Sequence, residues 1–312
     1  MRNHTTVTEF VLLGIPESEG LETTLLFLFS SIYSCTLLGN VLILMVILSS
    51  SQLHTPMYFF LGNLSILDLG FSSTTAPKML LNLSGKSQGI SFQGCVAQLF
   101  FHHFLGCSEG FLYTVMGLDR YVAICHPLRY TVIMNPRVCS ILATGSWLGG
   151  SAQAIILSSL TFQLPYCGSN ELAYFFCDVP AVLPLACEDT SVAERVGFTN
   201  VGLLAFTCLF LIFVSYIRIG VSISKIRSAE GRHRAFSTCS AHLTAIICFY
   251  GPVIIIFLQP NPRPLFGAII QIFNNLVTPF LNPLIYSLRN KDVKSALQNV
   301  FVKQNHSLKM NK

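Results

Sequence analysis

Two strings of polar residues stand at the ends of long apolar stretches of the chain. Asp119-Arg120-Tyr121 ends one such stretch, and Asn282-Pro283-Leu284-Ile285-Tyr286 ends the last one. Ionised groups are costly at membrane depth, so a chain that holds them there usually uses them. Proline removes a helical hydrogen bond, so Pro283 predicts a hinge at which Tyr286 can change its packing. These residue types favour a signalling protein over a simple membrane anchor.

Two carboxylates, Asp68 and Glu109, fall inside other apolar stretches. Two buried carboxylates cannot both ionise without a cation, so one of them is expected to take a proton. Our hypothesis is a shared proton or a sodium ion that stabilises a resting state. The alternative is that both residues only make structural hydrogen bonds. We predict no other cofactor.

Seven apolar stretches carry or flank these residues. The chain has 312 residues, of which 52% are hydrophobic and only 11% charged, and its mean hydropathy is +0.60. A soluble domain has about 25% charged residues. A membrane span needs roughly 20 apolar residues, and backbone groups in lipid must be satisfied within the segment, which requires helices. The predicted spans are 25–48, 57–77, 95–118, 139–160, 196–217, 235–258 and 265–288.

The predicted fold is therefore an all-α bundle of seven transmembrane helices. Residues 1–24 form an extracellular N-terminal tail, residues 25–288 the bundle, and residues 289–312 a cytoplasmic helix and tail. The stretch 291–302 is amphipathic in pattern and is expected to lie along the membrane. No cleavable signal peptide is evident, so the first helix is expected to act as its own insertion signal.

The distribution of charge gives the orientation. Fourteen of the 19 Lys and Arg residues fall on the side that carries Arg120, which predicts an extracellular N-terminus and a multi-pass protein of the plasma membrane. The net charge of +5 is thus a topology signal, and nucleic acid is not predicted as a partner. Asn3, in Asn3-His4-Thr5, is the predicted glycosylation site; Asn82 stands in a less favoured acceptor triplet close to the membrane.

Four of the 11 cysteines fall on the outer face, namely Cys95, Cys167, Cys177 and Cys187. Four cysteines in an oxidising compartment predict two disulfides, for which three pairings are possible. The other seven are interpreted as small packing residues. Because no close pair of cysteines stands beside a close pair of histidines, no metal site is predicted.

Several strings, in their order and spacing, resemble the vertebrate olfactory receptors, a branch of the rhodopsin-like G protein-coupled receptors. They run almost from end to end of the chain. They are Leu38-Gly39-Asn40, Leu53-His54-Thr55-Pro56-Met57-Tyr58-Phe59-Phe60-Leu61, Asp119-Arg120-Tyr121-Val122-Ala123-Ile124-Cys125, Ser215-Tyr216, Arg234-Ala235-Phe236-Ser237-Thr238-Cys239-Ser240-Ala241-His242-Leu243 and Pro279-Phe280-Leu281-Asn282-Pro283-Leu284-Ile285-Tyr286-Ser287-Leu288-Arg289-Asn290.

The resemblance implies roles for several of these residues. Asp119 would hold Arg120 at rest, and its release would let Arg120 meet the G protein and Tyr216. Asn282 would lie near Asp68 and Glu109.

The resemblance also implies how the outer cysteines pair. Cys95 would bond Cys177 and Cys167 would bond Cys187, which makes the second outer loop a fixed lid.

The chain departs from the family pattern at two places. The family has Met-Ala-Tyr before Asp119, whereas this chain has Met116-Gly117-Leu118. Glycine disfavours a helix by about 1 kcal/mol relative to alanine, so we expect a looser cytoplasmic end and altered basal activity. Tyr174 stands where the family often has a histidine that was considered a metal ligand, so no metal is carried over.

A ligand cavity is predicted in the outer half of the bundle, mostly apolar with a few polar groups, as suits a small volatile molecule. Helix 3 has no acid in its outer half, which disfavours an amine ligand, and helix 7 has no lysine for a retinal Schiff base. For any one of the candidates, plain packing is an equal alternative. The candidates are His102, His103, Gly106, Cys107, Asn200, Leu204, Tyr250, Val253, Ile254, Phe257, Ile272 and Asn275.

The resemblance implies an odorant-activated receptor that works through a stimulatory, olfactory-type G protein and adenylyl cyclase. The basic run 225–234 would contact anionic lipid and the G protein. The alternative function is a small transporter or channel, but the inverted repeats and paired broken helices of transporters are not found. No nucleophile or metal-ligand pattern appears in the spans, so no enzymatic activity is predicted.

Overall fold

A computed structural model of the chain describes residues 7–258 and 263–289, together with residues 293, 295, 296 and 298. Seven long helices run through this part of the chain, which confirms the all-α bundle. The first six are α1 Glu22–Ser49, α2 Pro56–Leu83, α3 Phe92–Cys125, α4 Pro136–Phe162, α5 Ser191–Ser224 and α6 Ala229–Leu258. The seventh, α7, consists of the α-helix Pro264–Ile272, the π-helix Phe273–Val277 and the α-helix Thr278–Arg289.

The helix starts follow from local residues. Pro56, Pro136 and Pro264 stand in the first turns of α2, α4 and α7, where the missing N–H has no helical partner to lose. Ser91 precedes α3, and its side chain accepts a hydrogen bond from the N–H of Gly94 at 3.0 Å. Short helices in the loops, Tyr130–Ile133 and Val179–Val182, complete the helical elements that matter below.

Five helices in the described part of the chain, α1, α4, α5, α6 and α7, are long and apolar enough to cross a membrane by length and composition alone. The other two hold carboxylates in their middle portions: α2 contains Asp68, and α3 contains Glu109, with Asp119 and Arg120 closer to its end. Because α3 packs against α2, α4, α5 and α6, its charged groups are enclosed by protein rather than by lipid.

The main apolar core lies between the seven helices, with side chains from each of them. Leu64, Leu112 and Phe249 are buried in it, and so is Tyr286. A second apolar cluster lies at the outer end of the bundle, where Ile15 of the N-terminal tail packs with side chains of α1, α2 and α7.

A small sheet that the sequence did not predict covers the outer end. Its strands are β1 Glu9–Leu12, β2 Gly89–Ser91 and β3 Glu171–Leu172, in the order β2-β1-β3. β1 pairs antiparallel with β2 and parallel with β3. The tail is therefore the central strand between the first and second outer loops.

The side-chain amide of Asn82 donates to the carbonyl of Leu12 at 2.7 Å. Asn82 is the asparagine of the less favoured glycosylation triplet, and its amide here holds the N-terminal tail. The predicted glycosylation site, Asn3, lies outside the described residues.

Four residues beyond Arg289 are described, and all are helical. Val293 and Ala296 are buried against the bundle, whereas Ser295 and Gln298 are exposed. This alternation is typical of an amphipathic helix. The remaining residues of the predicted segment 291–302 lie outside the described part of the chain.

Candidate functional site

A cavity of about 770 Å³ opens between the outer parts of α3, α5, α6 and α7, beneath the second outer loop; we call it the large cavity. Its wall is mostly apolar, and a few polar side chains converge on it. Eight of the predicted ligand residues line it: His102, His103, Gly106, Cys107, Leu204, Tyr250, Val253 and Phe257. The four candidates on α3 share one wall because helix spacing brings positions three and four apart to the same face.

Two candidates on α5 and α6 do not line the large cavity. On α5, Thr199 and Val201 line it while Asn200 between them does not. On α6, Val253 lines it, whereas Ile254 is 41% exposed on the outside of the bundle. Successive residues of a helix point about 100° apart, so an error of one position turns a side chain away from the cavity.

The two candidates on α7 are also displaced by one position. Gln271 and Asn274 line the large cavity instead of Ile272 and Asn275. Ile272 packs against the outer apolar cluster, and Asn275 is buried inside the bundle. Gln271 and Asn274 are three positions apart and share one face, so both predictions miss by the same single position. The π-helix Phe273–Val277 begins only after Ile272.

Asp178 in the lid is a polar group of the cavity that the sequence analysis missed. It is only 4% exposed. One carboxylate oxygen lies 3.2 Å from Nε2 of His103, and the other accepts from the amide of Gln271 at 3.3 Å. The carboxylate also accepts the backbone N–H of Val179 at 2.8 Å. Asp178 thereby joins the lid to α3 and α7; its position next to the bonded Cys177 was the available signal.

The charge state of Asp178 follows from these contacts. Burial raises the pKa of its carboxyl, but the contact with His103, the nearby His102 and the N–H of Val179 outweigh burial. The net effect lowers the pKa below the ordinary 3.8, so the group is a carboxylate at neutral pH. The roof of the cavity therefore carries a carboxylate whose two oxygens already have polar partners.

His102 offers a free polar atom beside this roof. Its ring stacks on Phe71 with ring centroids 5.0 Å apart, and the ring of Phe176 in the lid is also 5.0 Å away. Nδ1 of His102 is buried and has no hydrogen-bond partner among the described residues. A bound molecule with a polar group can satisfy this atom.

Both disulfide pairings implied by the resemblance are confirmed. Cys95 at the start of α3 is bonded to Cys177, and Cys167 is bonded to Cys187. The backbone N–H of Cys177 also donates to the side chain of Gln98 at 2.8 Å. The second outer loop is therefore fixed to α3 and forms the roof of the large cavity.

At the cytoplasmic end, Asp119 is fully buried and holds Arg120. The guanidinium donates to one carboxylate oxygen, from Nε at 3.1 Å and from Nη2. The hydroxyl of Tyr130, in the helix Tyr130–Ile133, donates to the other oxygen at 2.7 Å. Burial and the adjacent carboxylate of Asp119 raise the pKa of the Tyr130 phenol, so it stays a donor.

Tyr216 is engaged elsewhere in this arrangement. Its hydroxyl lies 2.7 Å from Nδ1 of His242, and Nε2 of that imidazole lies 3.2 Å from the carbonyl of Tyr113. Arg120 is held by Asp119 rather than by Tyr216. Tyr121, the next residue on α3, lies 3.2 Å from His126 through its hydroxyl. These contacts match the resting arrangement that the resemblance implies; the signalling roles stay predictions.

Asn282 connects the two buried carboxylates. Its amide nitrogen donates to both oxygens of Asp68 at 3.0 and 3.1 Å and lies 3.5 Å from Oε1 of Glu109. Tyr113 donates to the same Glu109 oxygen at 3.1 Å. Oε2 of Glu109 has no partner among the described residues. The structure thus brings together all the predicted members of this cluster.

Pro283 and Tyr286 follow on the same helix. Pro283 interrupts the hydrogen bonding of the last α-helical part of α7, close to Gly39 of α1. Tyr286 is 4% exposed, and its hydroxyl has no hydrogen-bond partner in the described part of the chain. A buried hydroxyl without a partner gains a hydrogen bond in any alternative packing that supplies one.

Within the described residues, no group of three or more His, Cys, Asp or Glu side chains is arranged to hold a metal ion. The arrangement instead combines a roofed cavity at one end with a held arginine at the other. The polar cluster around Asn282 lies between them.

Comparison with known proteins identifies the family. The sequence profile described as "Olfactory receptor" matches residues 29–304 of the chain. The human protein "Putative olfactory receptor 10D4" is 77% identical over 295 residues, which cover 95% of this chain and 99% of that protein. Human "Olfactory receptor 10D3" is 63% identical over 306 residues, 98% of each chain. The chain belongs to the olfactory receptor family.

The fold of this olfactory receptor is similar to that of a distant solved structure. "Crystal structure of squid rhodopsin" aligns with a TM-score of 0.75, covering 92% of this chain and 87% of that chain at 19% identity. Identity that low supports the fold alone. The receptor is therefore a multi-pass, seven-helix membrane protein. Neither the family nor the fold supports the alternative of a transporter or channel.

Proposed function

We propose that this olfactory receptor binds a small, mostly apolar volatile molecule in the large cavity. The bound receptor activates a G protein of the stimulatory, olfactory type and, through it, adenylyl cyclase. We propose the plasma membrane as its location, with the N-terminus outside. Family membership supports the general activity, and the cavity supports the class of ligand.

One observation carries the proposal: a single helix, α3, serves both ends of the molecule. His102 and Gly106 of α3 line the large cavity, and Arg120 of the same helix is held by Asp119 at the other end. At 1.5 Å per residue, His102 and Arg120 are roughly 27 Å apart along the helix axis. A rigid element of this length can couple ligand binding to the cytoplasmic face.

The mechanism is a shift between two populations. At rest, Asp119 holds Arg120 and His242 holds Tyr216. A ligand that binds better to the state with α6 moved outward raises the population of that state. In that state Arg120 is released toward the G protein and Tyr216. The ligand can shift the equilibrium only by its difference in affinity for the two states.

A cell assay of cyclic AMP with an odorant panel tests the ligand site. Val253→Phe fills the large cavity, whereas Ile254→Phe changes the neighbouring residue on the outside of α6. For an odorant that activates the receptor, Val253→Phe is expected to raise the half-maximal concentration about tenfold or more, which corresponds to 1.4 kcal/mol. Ile254→Phe is expected to change it little.

A second matched pair tests the polar wall, since His102→Ala alters the cavity and Asn200→Ala does not. If both variants of a pair changed the half-maximal odorant concentration equally, the large cavity would not be the ligand site. An odorant response that persists without the stimulatory G protein would contradict the coupling.

We also propose that the cluster of Asp68 and Glu109 holds a shared proton or a sodium ion in the resting state. Both carboxylates are fully buried, and their described polar partners, Asn282 and Tyr113, are uncharged. A cation between them, or one proton, removes the repulsion of two charges.

Asp68→Asn separates this idea from structural hydrogen bonding. The amide keeps the size of the side chain and removes the negative charge. We expect sodium or pH to shift the basal cyclic AMP level of the unaltered receptor, and the variant to lose that response. Dependence on sodium at fixed pH identifies sodium, and dependence on pH alone identifies the proton. If the variant keeps both its sodium response and its basal level, the cluster is only structural.

A further inference from the structure

A second, shallower cavity of about 480 Å³ lies at the outer end of α7; we call it the rim cavity. It is lined by Glu17 of the tail and by Arg263, Leu265, Phe266 and Ile269. None of these residues lines the large cavity. The rim cavity combines one acid, one base and an apolar wall.

The backbone holds Glu17 in this position. Ile15 anchors the tail in the outer apolar cluster, and the hydroxyl of Ser18 donates to the backbone carbonyl of Ile15 at 2.7 Å. Glu17 has φ 56°, the left-handed region that L residues other than glycine rarely adopt. The tail backbone around Glu17 is therefore fixed by Ile15 and by the Ser18 hydrogen bond.

The two charges of the rim cavity remain available to a ligand. Among the described residues, the contacts within 4.0 Å between acidic and basic side chains are Asp119 with Arg120 and Asp178 with His103, and neither involves Glu17 or Arg263. Glu17 and Arg263 are both exposed, and they do not come within ion-pairing distance of each other. The rim cavity therefore presents one negative and one positive group that are not paired with each other.

The apolar wall continues down the membrane-facing side of α7. Phe266 is 41% exposed and Ile269, three positions later on the same face, is 53% exposed. Because α7 is long and apolar enough to cross a membrane, these exposed side chains are expected to meet the acyl chains of the outer leaflet. The charged pair thus stands at the water boundary directly above a surface that acyl chains cover.

We propose that the rim cavity binds a zwitterionic phospholipid of the outer leaflet. Arg263 binds the phosphate, as guanidinium groups do with two parallel hydrogen bonds. Glu17 binds the ammonium group of the headgroup, and one acyl chain lies on Phe266 and Ile269. An anionic phospholipid without the ammonium meets the same arginine but is repelled by Glu17, so the site distinguishes the two lipid classes.

Native mass spectrometry of the purified full-length receptor tests the site. The probes are dioleoyl phosphatidylcholine, dioleoyl phosphatidylglycerol and soluble phosphocholine, added separately and in competition. The unaltered receptor is expected to retain phosphatidylcholine in preference to phosphatidylglycerol. This comparison needs no variant, so it does not depend on the folding of one.

Variants that each remove one charge then show which side chain binds which part of the lipid. Arg263→Gln is expected to weaken the binding of both lipids about threefold, the effect of losing one partly exposed charge contact. Glu17→Gln is expected to weaken phosphatidylcholine alone and so to abolish the preference. The matched controls are Glu19→Gln and Lys86→Gln, exposed outer charges that do not line the rim cavity.

Equal retention of the two lipids by the unaltered receptor would overturn the proposal. So would a preference that both Glu17→Gln and Arg263→Gln leave unchanged. Displacement of the lipid by phosphocholine at equal concentration would assign the site to a soluble zwitterion and overturn the lipid assignment.

Discussion

At the scale of single residues, Asp119 has two partners of different kinds. Arg120 compensates its charge, and Tyr130 adds a neutral hydrogen bond from the loop that follows α3. A buried carboxylate is stable only when its oxygens are satisfied. The resting position of Arg120 therefore depends on a tyrosine that lies outside the Asp119-Arg120-Tyr121 string.

Replacing Tyr130 by Phe removes only the hydroxyl. A hydrogen bond to a charged group contributes about 1.5–3 kcal/mol, so the resting state is destabilised and basal signalling is expected to rise severalfold. Cyclic AMP without odorant, normalised to surface expression, measures this. Tyr121→Phe is the control, because its hydroxyl contacts His126 and not Asp119. Unchanged basal signalling in Tyr130→Phe would show that the contact with Arg120 is enough to keep Asp119 in its resting position.

Asp178 predicts how the stability of the lid depends on pH. Its pKa is lower in the folded receptor than the ordinary 3.8, so its contribution is fully present above the unfolded value. That contribution is lost as pH falls through the folded pKa. We expect Asp178→Asn to be less stable at neutral pH by about 1–3 kcal/mol.

The difference between Asp178→Asn and the unaltered receptor should shrink below the ordinary carboxyl pKa. Thermal unfolding of purified protein, from neutral pH down to about pH 3, measures this difference. Glu188→Gln, an exposed change of the same charge, should show no such convergence.

At the scale of elements, α3 and α4 approach each other closely at Gly150. A Cβ atom there would lie 2.0 Å from Oγ of Ser108 and 2.5 Å from the carbonyl oxygen of Phe104. The second atom belongs to the backbone of α3, which cannot move away alone. Because glycine has no side chain, α4 can pack this close to α3. The position of α3 therefore depends on Gly150, and so does one wall of the large cavity.

Gly150→Ala is therefore expected to destabilise the bundle by about 1–3 kcal/mol, in spite of the better helix propensity of alanine. Surface expression and the yield of monodisperse protein should fall severalfold. Gly145→Ala, on the same helix, meets nothing within 4 Å and should be neutral or slightly stabilising. Similar yields for the two variants would mean that α4 can shift to relieve the contact.

Some parts of the site could be predicted from the sequence, and others could not. Local strings of the sequence, in their order, predicted the partners of Asp119, Arg120, Asn282 and the outer cysteines. The structure brings these partners together. Ile272 and Asn275 illustrate the opposite case. Apolar composition places both in α7, but which face of that helix points into the large cavity depends on tertiary packing.

At the scale of the whole molecule, the N-terminal tail is part of the roof. β1 is the central strand between the two outer loops, and the N–H of Val11 donates to the carbonyl of Asn170 at 2.8 Å. A strand of four residues has little local signal, and its partners are far away in the sequence. The bundle was predictable from its long apolar stretches, whereas this sheet was not.

Val11→Pro tests the tail as a structural part of the cavity. Proline removes the donor and is poorly tolerated in a central strand, whereas Val11→Ala keeps the N–H. With Val11→Pro we expect fewer receptors at the surface and a severalfold higher half-maximal concentration for an activating odorant. Val11→Ala should behave almost as the unaltered receptor does. Equal responses would mean that the lid holds its position without the tail.

The covalent attachment of the lid has a consequence for how the receptor is made. Cys95 and Cys177 can be joined only after two distant segments of a nascent chain have both been delivered to an oxidising lumen. Seven helices can insert without that step, yet the roof over the odorant would then lack its covalent bond to α3. A production host therefore has to supply thiol oxidation as well as a membrane, and the fraction of usable receptor is set by its secretory pathway.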